Sequence, residues 1–188
     1  MSVIGAFLLV VLAIVRVAWI LRQGVSLLAV LLFAQAGLAA LLMIFRRTAS
    51  TNAPVWVEAM AWLSAGLPLI FFVPSSGPLW QDLLPIPGLA LNLWALVSLG
   101  TAFGISPAQR GLVTDGPYHW LRHPMYAGEL LSLIGGLVAA FRLWNLVILL
   151  VFTTSLIWRI NREEQILGSS GYPAYARHIR WRLVPGIW

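Results

Sequence analysis

The sequence contains no cysteine and no lysine, and only six of its 188 residues are acidic. Without cysteine, disulfides, thiolate metal sites and a cysteine nucleophile are excluded. The three histidines show no paired spacing such as His-x-x-x-His, so no metal site is expected. Charge of either sign is scarce, at 10% of residues, whereas 60% are hydrophobic. Mean hydropathy is +0.88. A chain this short cannot bury so much apolar surface in one core. Lipid is the solvent that accepts it.

All 12 basic residues are arginine, giving a net charge of +6. A pI near 11.1 suits nucleic acid or anionic headgroups. Because the arginines flank apolar runs, the membrane reading is favoured and no nucleic-acid partner is expected.

Six apolar runs can be traced: Val3–Leu21, Leu27–Phe45, Val55–Val73, Leu89–Phe103, Met125–Phe141 and Leu143–Trp158. The first lacks a basic n-region and a small-residue cleavage site, so a retained span is expected, with Arg16 snorkelling near its end. Pro68 should kink the third. Pro74 to Gly88 reads as a Pro/Gly loop carrying Trp80 as an interface anchor. The last two runs, 17 and 16 residues long, suit a short or tilted helical hairpin across about 30 Å of hydrocarbon. Arg159–Trp188 is polar and basic and should lie in the interface or in water. The expected fold is therefore an all-α, polytopic integral membrane bundle of five to six transmembrane helices, with a short C-terminal cytoplasmic tail. Residues 1–103 would form N-terminal spans, and 104–188 a separate functional core.

With six crossings, the loops at 46–54 and 104–124 share a side with both termini. That side holds Arg46, Arg47, Arg110, Arg122, Arg159, Arg162, Arg177, Arg180 and Arg182, against Arg22, Arg142 and Arg16. The bias places the larger set in the cytoplasm. The loop before the fifth run and the tail after the sixth also share one face, so they can build a common site.

Two polar clusters interrupt this apolar background. The stretch from Gly111 to Tyr126 packs Asp115, Tyr118, His119, Arg122, His123 and Tyr126 together. Gly116-Pro117 is a turn signal, and Pro124 fits the first turn of a helix whose free N–H groups suit a carboxylate. The second cluster, Arg159-Ile-Asn-Arg-Glu-Glu164, puts Arg159 and Glu163 on one helical face.

In order, Gly116, Tyr118, Arg122, His123, Pro124 and Tyr126 are followed by Arg159, Glu163, Glu164 and Leu167. Gly171, Tyr172, Tyr175, Arg182 and Pro185 complete the set. This ordered set resembles the isoprenylcysteine carboxyl methyltransferase family and its bacterial relatives, over about residues 103–188. The resemblance implies S-adenosylmethionine in a pocket capped by the tail, contacted by Arg110, Gly111, Leu112, Val113, Tyr118, His123, Pro124, Met125, Tyr126 and Glu163. Arg159 would face a lipophilic or lipid-linked methyl acceptor, an isoprenylcysteine-like carboxylate being the best-known kind. It also implies a bacterial inner membrane with the site facing the cytoplasm. Two departures stand out. Phe103 replaces a usually polar residue, and Glu129 stands where relatives often carry an aromatic.

The cofactor's chemistry asks for the same groups. Its carboxylate needs a cation or N–H donors, its ammonium a carboxylate, and its adenine an aromatic surface. A carboxylate acceptor requires only an orienting cation such as Arg159, whereas a thiol or ammonium requires a base, and His119 or Glu129 could serve. Each residue also has a structural reading. Arg122 could anchor headgroups, His123 could cap a helix, and Tyr118 and Tyr126 could be interface aromatics. Arg159 and Glu163 could be a surface pair, Glu164 should face the pocket less than Glu163, and Glu129 could be an acid stabilised by the helix dipole. A sterol-reductase-like membrane enzyme using NADPH, or a non-enzymatic transport or assembly protein, are the competing readings.

Overall fold

The computed structural model describes residues 27–71, 78–168 and 171–188, together with Phe7, Val11, Ile14, Val15 and Ala18. The expected span Val3–Leu21, including Arg16, thus lies almost wholly outside the described residues. Among the described residues from Leu27 onwards, seven α-helices follow in order: α1 Leu27–Ile44, α2 Val55–Gly66, α3 Leu79–Leu83, α4 Ile86–Leu99, α5 Pro124–Ala139, α6 Leu143–Leu167 and α7 Tyr172–His178. Leu27–Ile44, Leu79–Ala102 and Leu143–Leu167 are long and apolar enough to cross a membrane, and Val55–Ile70 and Pro124–Ala139 are shorter apolar helices. An all-α membrane bundle is what the composition required.

Lipid rather than water explains the surface. Phe45, Val97, Val138, Phe141 and Leu143 are all highly exposed, which would be costly for a helix bundle in water and is neutral in hydrocarbon. Inside, packing relies on small residues, as expected where helices gain nothing by leaving lipid. The tightest contact joins α4 to α5. A Cβ on Gly128 would lie 2.6 Å from the Asn92 nitrogen and 2.7 Å from the Gly88 oxygen. Polar side chains then lock the layer. Asn92, 1% exposed, donates to the Met125 carbonyl at 3.1 Å and accepts from Gln35 of α1 at 3.0 Å. Ser64 of α2 meets Ser155 of α6 at 2.8 Å.

Three local expectations are corrected. Pro68 does not kink a continuing helix: α2 tightens into a 3-10 turn, Leu67–Ile70, which ends at Phe71. The Pro/Gly stretch before Gly88 is helical from Leu79 onwards, because Pro87 falls in the first turn of α4, where no intrahelical N–H is needed. Most importantly, α6 does not stop at Trp158 but runs on to Leu167. Arg159 and Ile160 are buried rather than in the interface or in water, whereas Asn161 and Gln165 are exposed.

At one end of the bundle the loops are tied together. Thr51–Asn52 (β1) pairs antiparallel with Ala108–Gln109 (β2), and the Arg47 amide donates to the Thr101 carbonyl at 2.7 Å. The loops at 46–54 and 104–124 are therefore on one side, as the count of crossings implied. Replacing Gly128 with alanine should cost about 1–3 kcal/mol through overpacking against α4, read as a lowered unfolding midpoint in detergent.

Candidate functional site

The segment from Gly111 to His123 is shaped by its own turn residues. Gly111 takes φ +104 and Gly116 φ +61, and a 3-10 turn over Gly116–His119 leads into α5 at Pro124. This loop does not close on itself. The Arg122 amide donates to the Trp181 carbonyl at 2.9 Å and the His123 amide to the Arg182 carbonyl at 3.0 Å, so the tail runs alongside it in a parallel bridge. Tyr175 of α7 donates to the Tyr118 carbonyl at 2.6 Å. Burial pushes the Tyr175 phenol up to about 12, so it remains a donor across the neutral range.

Glu164 is the hub of this arrangement. It accepts from Tyr172 at 2.7 Å, pairs with Arg182 at 2.7 Å, and meets the His123 Nε2 at 3.3 Å and Arg122 at 3.5 Å. Its bond raises the Arg182 pKa further. Arg122 lines the cleft and also braces the tail. Its guanidinium donates to the carbonyls of Ile179 and Ala176, both at 2.6 Å, at the end of α7. His123 does not cap α5 with its side chain; its ring stacks on Tyr126 with centroids 5.7 Å apart. The sequence offered Glu164 as a motif element facing the pocket less than Glu163, and Glu163 is the one that lines the cleft. Four polar partners converging from positions far apart in sequence are invisible to a local pattern.

Between loop, tail and α6 lies a cleft of about 700 Å³, counting the space at its mouth. Of the residues named from sequence, Arg110, Gly111, Leu112, Val113, Tyr118, His123, Met125, Tyr126 and Glu163 line it; Pro124, Glu129 and Arg159 do not. Pro124 is buried as the first residue of α5. His119 is exposed beside Trp120. Phe103, the apolar departure, lies on the lining together with Gly104 and Ser106.

Arg110 is the cation most available to the cleft. It is 7% exposed, its Nε is buried without a partner, and Nη1 reaches only the Ser106 carbonyl at 3.4 Å. Gly104 makes room for it, since a Cβ there would stand 2.5 Å from Nη1. Burial lowers the Arg110 pKa, Arg46 adds to this, and Glu163 and Glu58 oppose it.

Tyr126, on the lining, links two charges. Its hydroxyl donates to Glu163 at 2.9 Å and accepts from Arg159 Nη2 at 3.4 Å. Arg159 and Glu163 are thus not a surface ion pair but are joined through a phenol. The Arg159 guanidinium also donates to the Ile105 carbonyl at 3.0 Å and sits 4.9 Å from the Tyr126 ring centroid. Removing the hub should loosen the whole assembly. Glu164→Ala is expected to cost about 3 kcal/mol or more and to make residues 171–188 readily cleaved in limited proteolysis, with Glu164→Gln in between.

Comparison with known proteins was informative at the family level. No curated protein matches the chain. Residues 83–173 match the family model described as phospholipid methyltransferase, so the match begins at the end of α3 and takes in α4 as well as the motif loop. That family sits in the isoprenylcysteine carboxyl methyltransferase clan. Residues 83–173 are thus similar to a methyltransferase family of that clan, and the described residues include helices long and apolar enough to cross a membrane.

Proposed function

We propose that the protein transfers a methyl group from S-adenosylmethionine to a lipophilic or lipid-linked acceptor at the membrane surface. The observation that carries this reading is the pairing, in one tyrosine-lined cleft, of a buried arginine with an uncommitted Nε and a glutamate. That donor set fits the cofactor. Arg110 would take its carboxylate, Glu163 its ammonium, and Tyr118 its adenine face. When bound, the cofactor supplies an electrophilic methyl group on a sulfonium.

The chain's contribution is orientation and dryness. Tyr126 fixes the Glu163 carboxylate by a 2.9 Å bond, and the tail, held by Glu164, excludes water from the cleft. Charge neutralisation between a sulfonium and an anionic nucleophile proceeds faster in such a site than in water. Positioning contributes further, up to roughly 7–11 kcal/mol at the extreme. The acceptor would arrive from the lipid side. A carboxylate of the isoprenylcysteine kind would be oriented by Arg159 and need no base, whereas the matched family's description points to a phospholipid. The arginine bias supports a cleft on the cytoplasmic face, and a bacterial inner membrane is the setting that the family resemblance suggests. A nicotinamide-dependent reductase has no observation here in its favour.

In detergent, calorimetry should record micromolar binding of S-adenosylhomocysteine and none of NADPH. Glu163→Ala and Arg110→Ala should each weaken that binding about tenfold or more, roughly 1.4 kcal/mol per decade. NADPH binding alone would reverse the assignment.

A further inference from the structure

The tail that roofs the cleft has an outer face that the cleft does not use. Glu164 engages Arg122 and Arg182 from within. Arg177 and Arg180 are instead exposed, and neither forms an ion pair among the described residues. No acid lies between Glu164 and Trp188 in the sequence, so nothing within the roof neutralises them. The Arg180 guanidinium rests 5.4 Å from the centroid of the Trp181 ring. Further along, Val184 and Ile187 are 40% and 81% exposed. Free cations, a tryptophan and exposed aliphatic side chains in one short segment suit a layer of lipid headgroups with methylenes beneath it.

The depth of the roof follows from the helix that carries its anchor. α6 has 25 residues, so it is about 37 Å long against about 30 Å of hydrocarbon. Its last turns, where Glu164 stands, therefore emerge into the headgroup layer. Two tryptophan pairs mark the same level. Trp56 and Trp158 lie 5.9 Å apart, with the Arg162 guanidinium 5.3 and 5.9 Å from their rings. Trp94 of α4 and Trp120 of the motif loop lie 5.5 Å apart, edge to face, and both are exposed. The residue after Trp120, Leu121, bridges to Trp181 of the roof. The roof is thus joined to an aromatic belt rather than held far out in water.

We propose that this outer face, Arg177 and Arg180 with Val184 and Ile187, docks on the anionic headgroups of the bilayer that holds the bundle, and that docking steadies the roof over the cleft. A zwitterionic headgroup brings no net charge to an uncommitted guanidinium, whereas an anionic one strengthens docking about fivefold for each arginine. The roof is otherwise attached through Glu164 and a short backbone bridge, so a hold from outside acts directly on how long it stays closed. The affinity of the cleft for its ligand then rises with the surface charge of the membrane. That last step rests on the methyltransferase reading above; the docking does not.

The full chain in bilayers of phosphatidylcholine alone, or of equal parts phosphatidylcholine and phosphatidylglycerol, tests this by limited digestion with chymotrypsin. That protease cuts at the roof's tyrosines and tryptophan, so arginine substitutions leave its sites intact. Cleavage within 171–188 should be about tenfold slower in the anionic bilayer, and high salt should abolish the difference. Arg177→Gln/Arg180→Gln should be cleaved in both bilayers at the wild-type rate in phosphatidylcholine, which also shows the variant to be folded. Arg177→Lys/Arg180→Lys should keep the protection, separating charge from any structural role of Arg180 over Trp181. S-adenosylhomocysteine should bind the wild type at least about fivefold more tightly in the anionic bilayer, and the Gln variant equally in both. Equal cleavage of the wild type in the two bilayers, or full protection of the Gln variant, would overturn the docking. Protection without a gain in S-adenosylhomocysteine affinity would overturn its coupling to the cleft. Protection by a soluble oligonucleotide but not by phosphatidylglycerol would assign the surface to a soluble polyanion instead. A wild type that binds no S-adenosylhomocysteine in either bilayer would remove the methyltransferase reading, and the docking would still be decided by cleavage.

Discussion

A carboxylate withdrawn from water is tolerated only where donors replace its hydration, and Glu164 gathers donors from three separate parts of the chain. Two come from the loop before α5, one from α7 and one from the strand-like tail. Each of these segments is too short or too polar to hold a fixed place by burial alone. Converging on one anion at the far end of α6, they acquire a common origin. The backbone bridge between residues 121–123 and 181–182 then sets their register. The shape of the cleft follows from this electrostatic knot more than from apolar packing.

Below the knot the bundle is built differently. Glycine and serine contacts bring α4 against α5, and Asn92 fixes the start of α5 through the Met125 carbonyl. That rigid layer carries Tyr126 and, one turn on, Glu129. The facing helix carries Glu163 and Arg159 in the opposite order. Two antiparallel helices thus present two charged layers in matched sequence, one lining the cleft and the other one turn deeper in the bundle.

Much of this was legible in the residues. Apolar run lengths gave the bundle, because hydropathy reports directly on the solvent a segment prefers. The parity of the last two spans placed loop and tail on one side, and the ordered polar motifs indicated which residues would line the cleft. What was not legible has a common physical cause. Hydropathy cannot tell a polar residue that ends a span from one that turns inward, so α6 read nine residues too short and Arg159 was expected at the boundary instead of beneath Tyr126. Proline reads as a loop whether it breaks a helix or begins one, which concealed α3 and the start of α4. The distribution of bonds between Glu163 and Glu164 depends on side-chain directions that only the tertiary fold fixes. The same is true of the use of Arg122 to hold α7.

The bridge between the motif loop and the tail also orders events during biosynthesis. Residues 121–123 leave the ribosome some sixty positions before their partners at 181–182, so the helices can partition into the bilayer while the cleft still has no roof. Its assembly is then the closing step of maturation. A nascent chain halted within α6 would be a well-inserted membrane protein with nothing to hold a ligand.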